Sequence, residues 1–370
     1  MDVARLRSGL RRALPSSLRR RLWHTRRSLD RRGLLLPALG GTRQVVTASS
    51  TAPTPTPAPA GPAPPPRMPA GVASPAPRRS RLDLRRDAAF AAVPTTGTVL
   101  EIGPAHNGIL PKREGFRTKT VDYLDRAGLV DKYRDFPQYS PEDIEDVDFV
   151  LPPGAQLSDV IKERFDLVLA SHVIEHTTSL VHFVEECTRL LRPGGVLCLV
   201  VPDSRYCFDR FRERASLARV VDAAHEPPLV HTVGTLTEFA MNAVRHRDST
   251  SWAPLHTGRY RFVHDLAQVR SKAEQASSGA YVDVHNWVFT PNHLRLLLRD
   301  LADLGYVSMR ESWFHPTVGH EFFLNLTREA DGAGTTREEL VVASTEELRT
   351  LDVPEFEEPV EAVDPTGRQT

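Results

Sequence analysis

Three chemically useful side chains stand close together in the segment Ser171 to His176. His172, Glu175 and His176 occupy positions i, i+3 and i+4, so a helical turn here would direct all three the same way. A histidine, whose pKa is near neutrality, can accept a proton as a general base. The same side chains could instead hold a divalent cation or simply tie a loop to the backbone. The spacing therefore predicts a candidate site with three interpretations, of which we favour the general base.

The element before this segment is an apolar run that positions it. Phe165 to Ala170 is continuous after Asp166, as expected of a central strand in a parallel sheet covered on both faces. The side chains that follow such a strand lie at the carboxyl edge, where ligands bind in open α/β sheets. Downstream, a helix with an apolar stripe leads to the turn Arg192 to Gly195, which feeds a fifth strand.

A second apolar run, Val99 to Ile102, ends at Gly103 and opens onto a loop of small residues. Gly103 would let the backbone turn and let a ligand approach without an intervening Cβ. Glu101 would put a carboxylate beside that turn. The loop residues against which we expect the ligand to lie are Pro104, Ala105 and Gly108.

Two further strands are predicted between these runs. Lys119 to Asp122 is the second strand, and its terminal carboxylate suits the two hydroxyls of a ribose, since one anion can accept both hydrogen bonds. Tyr123 follows immediately. The alternative for Asp122 is an ordinary turn residue. Glu145 to Val150 predicts a short third strand with acidic flanks.

Taken in order, these motifs resemble the class I S-adenosylmethionine-dependent methyltransferases, over roughly residues 95 to 327. Many members carry a second glycine where this chain has Ala105. Gly103-x-Ala105-x-x-Gly108 followed by Asp122 would also fit a dinucleotide site, but Glu101 and the Arg-Pro-Gly-Gly turn favour the methyltransferase. The resemblance implies an α/β fold, a Rossmann-like doubly wound seven-stranded mostly parallel sheet, with S-adenosylmethionine as cofactor.

The resemblance also implies roles for individual residues. In related enzymes an acid near the third strand receives the adenine amino group and an apolar side chain covers the ring, which makes Asp148 and Phe149 the candidates. Ser171 is a further cofactor candidate. The Glu-His pair faces the open edge in related enzymes, so we name His176 ahead of His172 as the base. The patch is similar to the Glu-x-x-Glu-His patch of some metal-dependent O-methyltransferases, but His172 replaces the first Glu, and we assign no metal.

A long insertion, Ser204 to Asn286, separates the fifth strand from the rest of the predicted sheet. Its start resembles methyltransferases associated with surface-polysaccharide genes, and Arg205, Tyr206 and Asp209 suit a hydroxyl-rich or phosphorylated acceptor. A helix-entry salt bridge is the other interpretation. We expect the insertion to be a helical lid that defines the acceptor. The predicted reaction is O-methylation of a glycan or other small acceptor; an RNA or lipid-linked acceptor, or a non-catalytic scaffold, stays open.

The ends of the chain differ from its centre. The net charge is zero, but this hides an arginine-rich start and an acidic end. The arginine-rich arm, residues 1–43, could contact a membrane or a partner, less readily nucleic acid, or have no specific role. Three cysteines without metal spacing indicate reduced thiols in a cytoplasmic protein, and the basic arm adds the alternative of a peripheral location at the inner membrane surface. The predicted parts are a basic amphipathic arm (1–43), a Pro/Ala-rich linker (44–79), the methyltransferase domain (80–328, with the insertion 204–286) and an acidic flexible tail (329–370).

Overall fold

The structure is a computed structural model that describes residues 80–135, 140–246, 249–250, 259–332, 334–349, 351 and 353–357. The predictions for the basic arm and the linker lie outside these residues. The strands, in chain order, are β1 (Val99–Ile102), β2 (Thr118–Asp122), β3 (Phe149–Val150), β4 (Phe165–Ser171), β5 (Leu191–Pro202), β6 (Val244–His246), β7 (Ser249–Thr250), β8 (Tyr260–Phe262), β9 (Arg310–Val318) and β10 (Glu321–Thr327). The helices are α1 (Arg81–Ala89), α2 (Arg126–Tyr133), α3 (Leu157–Val160), α4 (Leu180–Arg189), α5 (Leu217–His225), α6 (Val233–Asn242), α7 (Leu266–Ser277), α8 (Pro291–Asp303) and α9 (Arg337–Arg349).

The main sheet has seven strands in the order β3-β2-β1-β4-β5-β10-β9. The strands from β3 to β5 pair in parallel, and β10 is antiparallel to both of its neighbours. The order reverses between β1 and β4, so the carboxyl ends of these two strands flank the switch point where ligands bind in such sheets. The predicted Rossmann-like, mostly parallel seven-stranded sheet is therefore confirmed.

Both faces of the central strands are buried, which explains their continuous apolar sequences. Leu100, Val168 and Leu197 belong to the core on one face. Val99, Leu167 and Val196 belong to the core on the other face. Each pair of neighbouring residues thus contributes to opposite cores, as the two-residue period of a strand requires.

The bounds of two strands depend on where their backbone N–H groups donate. The third strand, predicted from Glu145, contains only Phe149 and Val150, although the N–H of Asp148 also donates to the carbonyl of Thr120 on β2. β9 begins at Arg310, after the apolar residues Tyr306 and Val307. The N–H groups of Tyr306 and Val307 instead donate to the carbonyl of Leu301 at the end of α8.

The helix boundaries follow local capping. Ser80 and Asp83 form a capping box at the start of α1, and Pro291 begins α8 after Thr290. Ser179 is the N-cap residue of α4. α9 begins at Arg337 and ends at Arg349.

The insertion contains α5, α6 and α7 together with a small antiparallel sheet, β7-β6-β8, that the sequence did not predict. α9 lies in the segment predicted to be a flexible acidic tail, but it packs against α8. The carboxylate of Glu347 accepts from the backbone N–H of Asn292, and Leu340 is buried. Among the described helices, none has the length and apolarity needed to cross a bilayer. The three cysteines are free thiols and buried.

Candidate active site

The carboxyl ends of β1 and β4 carry an unusual backbone. Gly103 has φ +61° and, more surprisingly, Ala105 and His172 have φ 45° and 54°. A side chain at such angles strains the main chain, and strain of this kind concentrates at ligand-binding sites. A Cβ on Gly103 would lie 3.5 Å from Cγ2 of Val173, so the β1 and β4 loops face each other here. The two loops form a cradle at the switch point of the sheet.

The side chain of Glu101, near the end of β1, supports the loop of this cradle. Its carboxylate is buried and accepts from the N–H groups of Ile109 (2.6 Å) and Leu110 (3.2 Å). Burial raises the pKa of Glu101 to about 7, although the two backbone hydrogen bonds oppose the rise. Glu101 therefore closes the loop that carries Pro104, Ala105 and Gly108, and it lines one cavity together with these three residues.

Asp122 ends β2 beside the cradle. It is buried, and its Oδ1 accepts from the N–H of Tyr123 at 2.8 Å. An ionised carboxylate has lone pairs for further donors, so Asp122 can still accept from two ribose hydroxyls. The Tyr123 ring is half exposed, with Nζ of Lys132 4.9 Å from its centroid. These residues fit a ribose.

The two adenine candidates are placed differently from Asp122. The carboxylate of Asp148 accepts from Nζ of Lys112 (2.6 Å) and from the N–H of Thr120 (2.8 Å) in the middle of β2. These hydrogen bonds direct Asp148 away from the carboxyl edge, so the structure does not bring it to the cradle. Phe149 is partly buried against the core, under Nζ of Lys119. Ser171 is the last residue of β4 and does reach the edge.

Glu175 lies between the two candidate histidines, which the structure turns to different partners. Ile174–His176 form a short 3₁₀ turn, and His172 precedes it with a left-handed backbone rather than continuing a helix. Oε1 of Glu175 is 3.6 Å from Nδ1 of His172 and 3.9 Å from Nε2 of His176. Nε2 of His172 is 3.8 Å from Oε2 of Glu321, on the opposite side from the His176 partners.

His176 is held by a carboxylate that the sequence did not point to. Its Nδ1 is 2.9 Å from Oδ1 of Asp283, in the last part of the insertion. Burial opposes a charge on His176, but the Asp283 hydrogen bond and the Glu175 charge outweigh it and raise the pKa of His176. The same hydrogen bond lowers the pKa of Asp283. This orientation leaves Nε2 of His176 facing Glu175.

A second histidine from the insertion has the same arrangement. Nδ1 of His285 is 3.1 Å from Oδ2 of Asp209, and the His285 and His176 rings are 4.8 Å apart, edge to face. Burial would raise the pKa of Asp209, but His285 and Arg212 more than compensate and lower it. Asp209 therefore orients His285, and its complete burial keeps it from contacting an acceptor directly.

The Glu175 side chain is 1% exposed, and neither carboxylate oxygen has a hydrogen-bond donor among the described residues. Its backbone is fixed, because its carbonyl accepts from the N–H groups of Asn286 (2.7 Å) and Trp287 (3.0 Å). A buried carboxylate without donors is costly, so Glu175 marks a place where a donor or a cation is expected.

The other predicted acceptor residues form a local ion pair. The guanidinium of Arg205 donates to both oxygens of Asp203, and its centre lies 5.4 Å from the Tyr206 ring. Asp203 also accepts from the hydroxyl of Thr317. This is the salt-bridge alternative considered for Arg205, and it separates Arg205 and Tyr206 from Asp209.

A polar cavity of about 230 Å³ adjoins the histidines. His231 is buried there with no partner for either ring nitrogen among the described residues, and the same holds for Nε1 of Trp287. Burial lowers the pKa of His231 to about 4, and the charge of His176 adds to the effect. The residues that line the cavity include Thr178, Arg219, His231, Asn286 and Trp287.

Asp283, His285 and His231 were missed as site residues from the sequence. All three belong to the insertion, where no periodic pattern or motif marks them, and His176 and Asp283 are 107 positions apart. The only local signal was Trp287 to Pro291, which identified the return to the sheet directly after them.

Comparison with known proteins gives a family. A family model described as a methyltransferase domain matches residues 76–301, more than half of the 370 residues. Short segments match ubiquinone biosynthesis O-methyltransferases from Nitrobacter winogradskyi (40% identity over 37 residues) and Bradyrhizobium sp. (47% over 36 residues). Each segment covers 10% of this chain and only 14% of the relative's length.

Solved structures are similar at low identity. The glycopeptide N-methyltransferase MtfA complexed with S-adenosyl-L-homocysteine is 14% identical, covering 68% of this chain and 90% of that chain, with a TM-score of 0.34. The CcbJ methyltransferase from Streptomyces caelestis is also 14% identical, covering 68% of this chain and 98% of that chain, with a TM-score of 0.32.

Proposed function

This chain belongs to the methyltransferase-domain family, within the class I S-adenosylmethionine-dependent methyltransferases, and we propose that it methylates a hydroxyl oxygen on a glycan or another small acceptor. Bound S-adenosylmethionine supplies an electrophilic methyl group on a sulfonium sulfur. The observation that carries the hydroxyl assignment is the cluster of Glu175, His176 and His285 beside a polar cavity.

The cofactor contacts follow from the cradle. The backbone at Gly103 and Ala105, with its positive φ angles, lets a ligand lie close to the ends of β1 and β4. Asp122 accepts the ribose hydroxyls, with Tyr123 beside it. Glu101 supports the loop and, because it lines the same cavity as Ala105 and Gly108, remains a proposed cofactor contact. Pro104, Gly108, Phe149 and Ser171 remain further proposed contacts, whereas the hydrogen bonds of Asp148 remove our reason for proposing it.

The acceptor chemistry follows from proton balance. When a hydroxyl is methylated, an oxygen–carbon bond forms, a sulfur–carbon bond breaks and the hydroxyl proton must leave. A hydroxyl is a poor nucleophile while protonated, so a group that removes or weakens the O–H bond raises the rate. His176, oriented by Asp283 and next to Glu175, is the histidine we propose to act on that proton, ahead of His172.

The cavity supports a polyhydroxylated acceptor. Buried polar atoms normally have partners, and His231 and Trp287 present three that have none among the described residues. Hydroxyl groups of an acceptor can both donate to and accept from such atoms. Arg219, whose guanidinium is 4.7 Å from the Trp287 ring centroid, lines the same wall and donates to Asn286 and Thr235, which fixes the polar groups around the cavity.

Two measurements test the proposal. Isothermal titration of the full chain with S-adenosylmethionine and S-adenosyl-L-homocysteine tests cofactor binding, and no heat at millimolar ligand with folded protein contradicts it. Transfer of a labelled methyl group to panels of saccharides, small alcohols and amines tests the acceptor. We expect the label in base-stable ethers of the hydroxyl panel. Transfer to amines alone contradicts O-methylation while leaving the family assignment intact.

A further inference from the structure

Donor atoms of Glu175, His176 and His285 converge beside the cofactor cradle. One donor atom from each residue lies within 4.8 Å of the other two, and Nε2 of His176 is 3.9 Å from Oε1 of Glu175. Around a tetrahedral zinc ion, with ligands at about 2.1 Å, donor atoms are about 3.4 Å apart. Small side-chain rotations are enough to bring the three donors to that spacing.

The surroundings of both histidines match those of metal ligands. A histidine that binds a metal usually gives its other ring N–H to a carboxylate, which fixes the tautomer and the ring orientation. Nδ1 of His176 contacts Asp283, and Nδ1 of His285 contacts Asp209. In both rings the carboxylate at Nδ1 favours the tautomer in which Nε2 carries no proton, which is the tautomer that binds a metal through Nε2. A single general base would not require two carboxylate–histidine pairs that meet at a third carboxylate.

The third donor adds an independent observation. Glu175 is buried with both oxygens lacking a donor among the described residues, although its backbone is held by Asn286 and Trp287. A cation between Glu175 and the two imidazoles would supply the missing partner. The other cluster nearby, His172 with His320 and Glu321, differs on this point. The guanidinium of Arg85 already donates to both oxygens of Glu321, at 2.8 and 2.9 Å, so that carboxylate is neutralised.

We propose that Glu175, His176 and His285 bind one divalent transition-metal ion, whose open coordination position takes the acceptor hydroxyl. Two imidazoles and one carboxylate favour zinc, manganese, iron or cobalt over magnesium, which prefers oxygen ligands. The ion would lower the pKa of the acceptor hydroxyl, whose proton leaves to water, so His176 would act on that proton through the ion and not as the base itself. The oxygen–methyl bond then forms as the sulfur–methyl bond breaks. This role in acceptor activation rests on the proposed O-methylation, whereas the binding site itself does not.

The proposed ligand set differs from the three-residue patch that the sequence indicated, because the third ligand is His285 and not His172. Nδ1 of His172 is 3.6 Å from Oε1 of Glu175, but its Nε2 faces Glu321 at 3.8 Å, and the residue that groups with Glu175 and His176 is His285 from the insertion. The three proposed ligands therefore come from two segments that are distant in sequence: Glu175 and His176 follow β4, and His285 belongs to the insertion.

The test is metal binding to the full chain after chelator treatment and dialysis. Calorimetric titration with Zn²⁺ should give one equivalent, and Co²⁺ should give a visible absorption spectrum that Zn²⁺ abolishes. Glu175→Gln, which keeps the side-chain shape, should weaken Zn²⁺ binding at least 100-fold. Asp283→Asn should weaken it about 10- to 100-fold through His176. His182→Ala, on the exposed face of α4, should bind like the wild type.

Thermal denaturation shows whether each variant is folded. Absence of stoichiometric Zn²⁺ and Co²⁺ binding by folded wild-type protein would overturn the inference, and so would wild-type affinity in Glu175→Gln. Those results would leave Glu175 as the counter-ion of a protonated His176. Methyl transfer to hydroxyls by chelated, metal-free protein would also overturn the metal's role while supporting O-methylation. Tight binding through all three residues with transfer only to amines supports the metal site and contradicts the proposed function.

Discussion

Nδ1 of His176 lies 2.9 Å from Oδ1 of Asp283, which joins the turn after β4 to the last part of the insertion. The contact orients Nε2 of His176 toward Glu175 and places the insertion against the carboxyl edge of the sheet. The segment from Asp283 to Trp287 is therefore part of the candidate active site as well as a connection to α8.

Asp283→Asn tests this contact directly. Asparagine keeps the size of the side chain but removes the charge that fixes His176, so we expect kcat to fall about 10- to 100-fold. S-adenosylmethionine affinity should change less than kcat, because Asp283 hydrogen-bonds His176 and reaches the ribose side only through Lys132, whose Nζ is 3.8 Å from its Oδ2. Asp303→Asn, which removes a surface partner of Arg310, is the control and should keep full activity. Equal turnover in both variants would show that the orientation of His176 is unimportant.

Gly103→Ala tests the cradle. At φ +61° an added Cβ costs roughly 1 kcal/mol of folding free energy, and it also projects where the cofactor must approach. We expect a small loss of stability and at least a tenfold rise in the Kd for S-adenosylmethionine, measured by calorimetry. Gly115→Ala is a matched control, since Gly115 has φ +90° with no atom within 4 Å of its Cβ position. It should lose similar stability with unchanged affinity.

Glu101 should make the cofactor-free protein sensitive to pH. Its pKa rises from 4.5 to about 7 on folding, so the folded state holds the proton more tightly than the unfolded state. Its stabilising contribution is complete below about pH 4.5 and is lost as the pH rises through about 7. The midpoint of urea unfolding should therefore decrease between pH 5 and 8. Glu101→Gln, which stays neutral, should flatten that decrease; an unchanged profile would contradict the assignment.

His231→Phe tests the acceptor cavity. His231 is buried, neither ring nitrogen has a hydrogen-bond partner among the described residues, and with a pKa of about 4 the ring is neutral at pH 7. Phenylalanine should therefore preserve or slightly raise the melting temperature, since removing an unpaired buried polar group is not costly. We expect the KM for the acceptor to rise several-fold with little change in S-adenosylmethionine affinity. His293→Phe, on α8 with a similarly lowered pKa, should leave the acceptor KM unchanged.

The sheet could be predicted from the sequence because its information is local. The apolar runs of β1, β4 and β5 reflect burial on both faces, and Thr290 with Pro291 marks the start of α8. Gly103 and Asp122 could be named because each directly follows or ends an apolar strand. Their predicted contacts with the cofactor remain proposals.

The rest depends on partners that are distant in sequence. In the sequence Asp148 suggests an adenine ligand, but in the structure its carboxylate accepts from Nζ of Lys112 and the N–H of Thr120. The sequence likewise suggests Asp209 as a contact of the methyl acceptor, but in the structure its carboxylate contacts His285 and Arg212. No pattern in the insertion marks His285, because a buried histidine paired with an aspartate has no periodicity of its own.

The most direct measurement of the central claim is methyl transfer to the hydroxyl panel by the wild type and by Glu175→Gln under saturating S-adenosylmethionine. The substitution keeps the shape of the carboxylate that clusters with His176 and His285, and removes its charge. We predict that turnover falls about 100-fold or more while the Kd for S-adenosylmethionine and the melting temperature stay near the wild-type values. Wild-type turnover in folded Glu175→Gln would contradict the account.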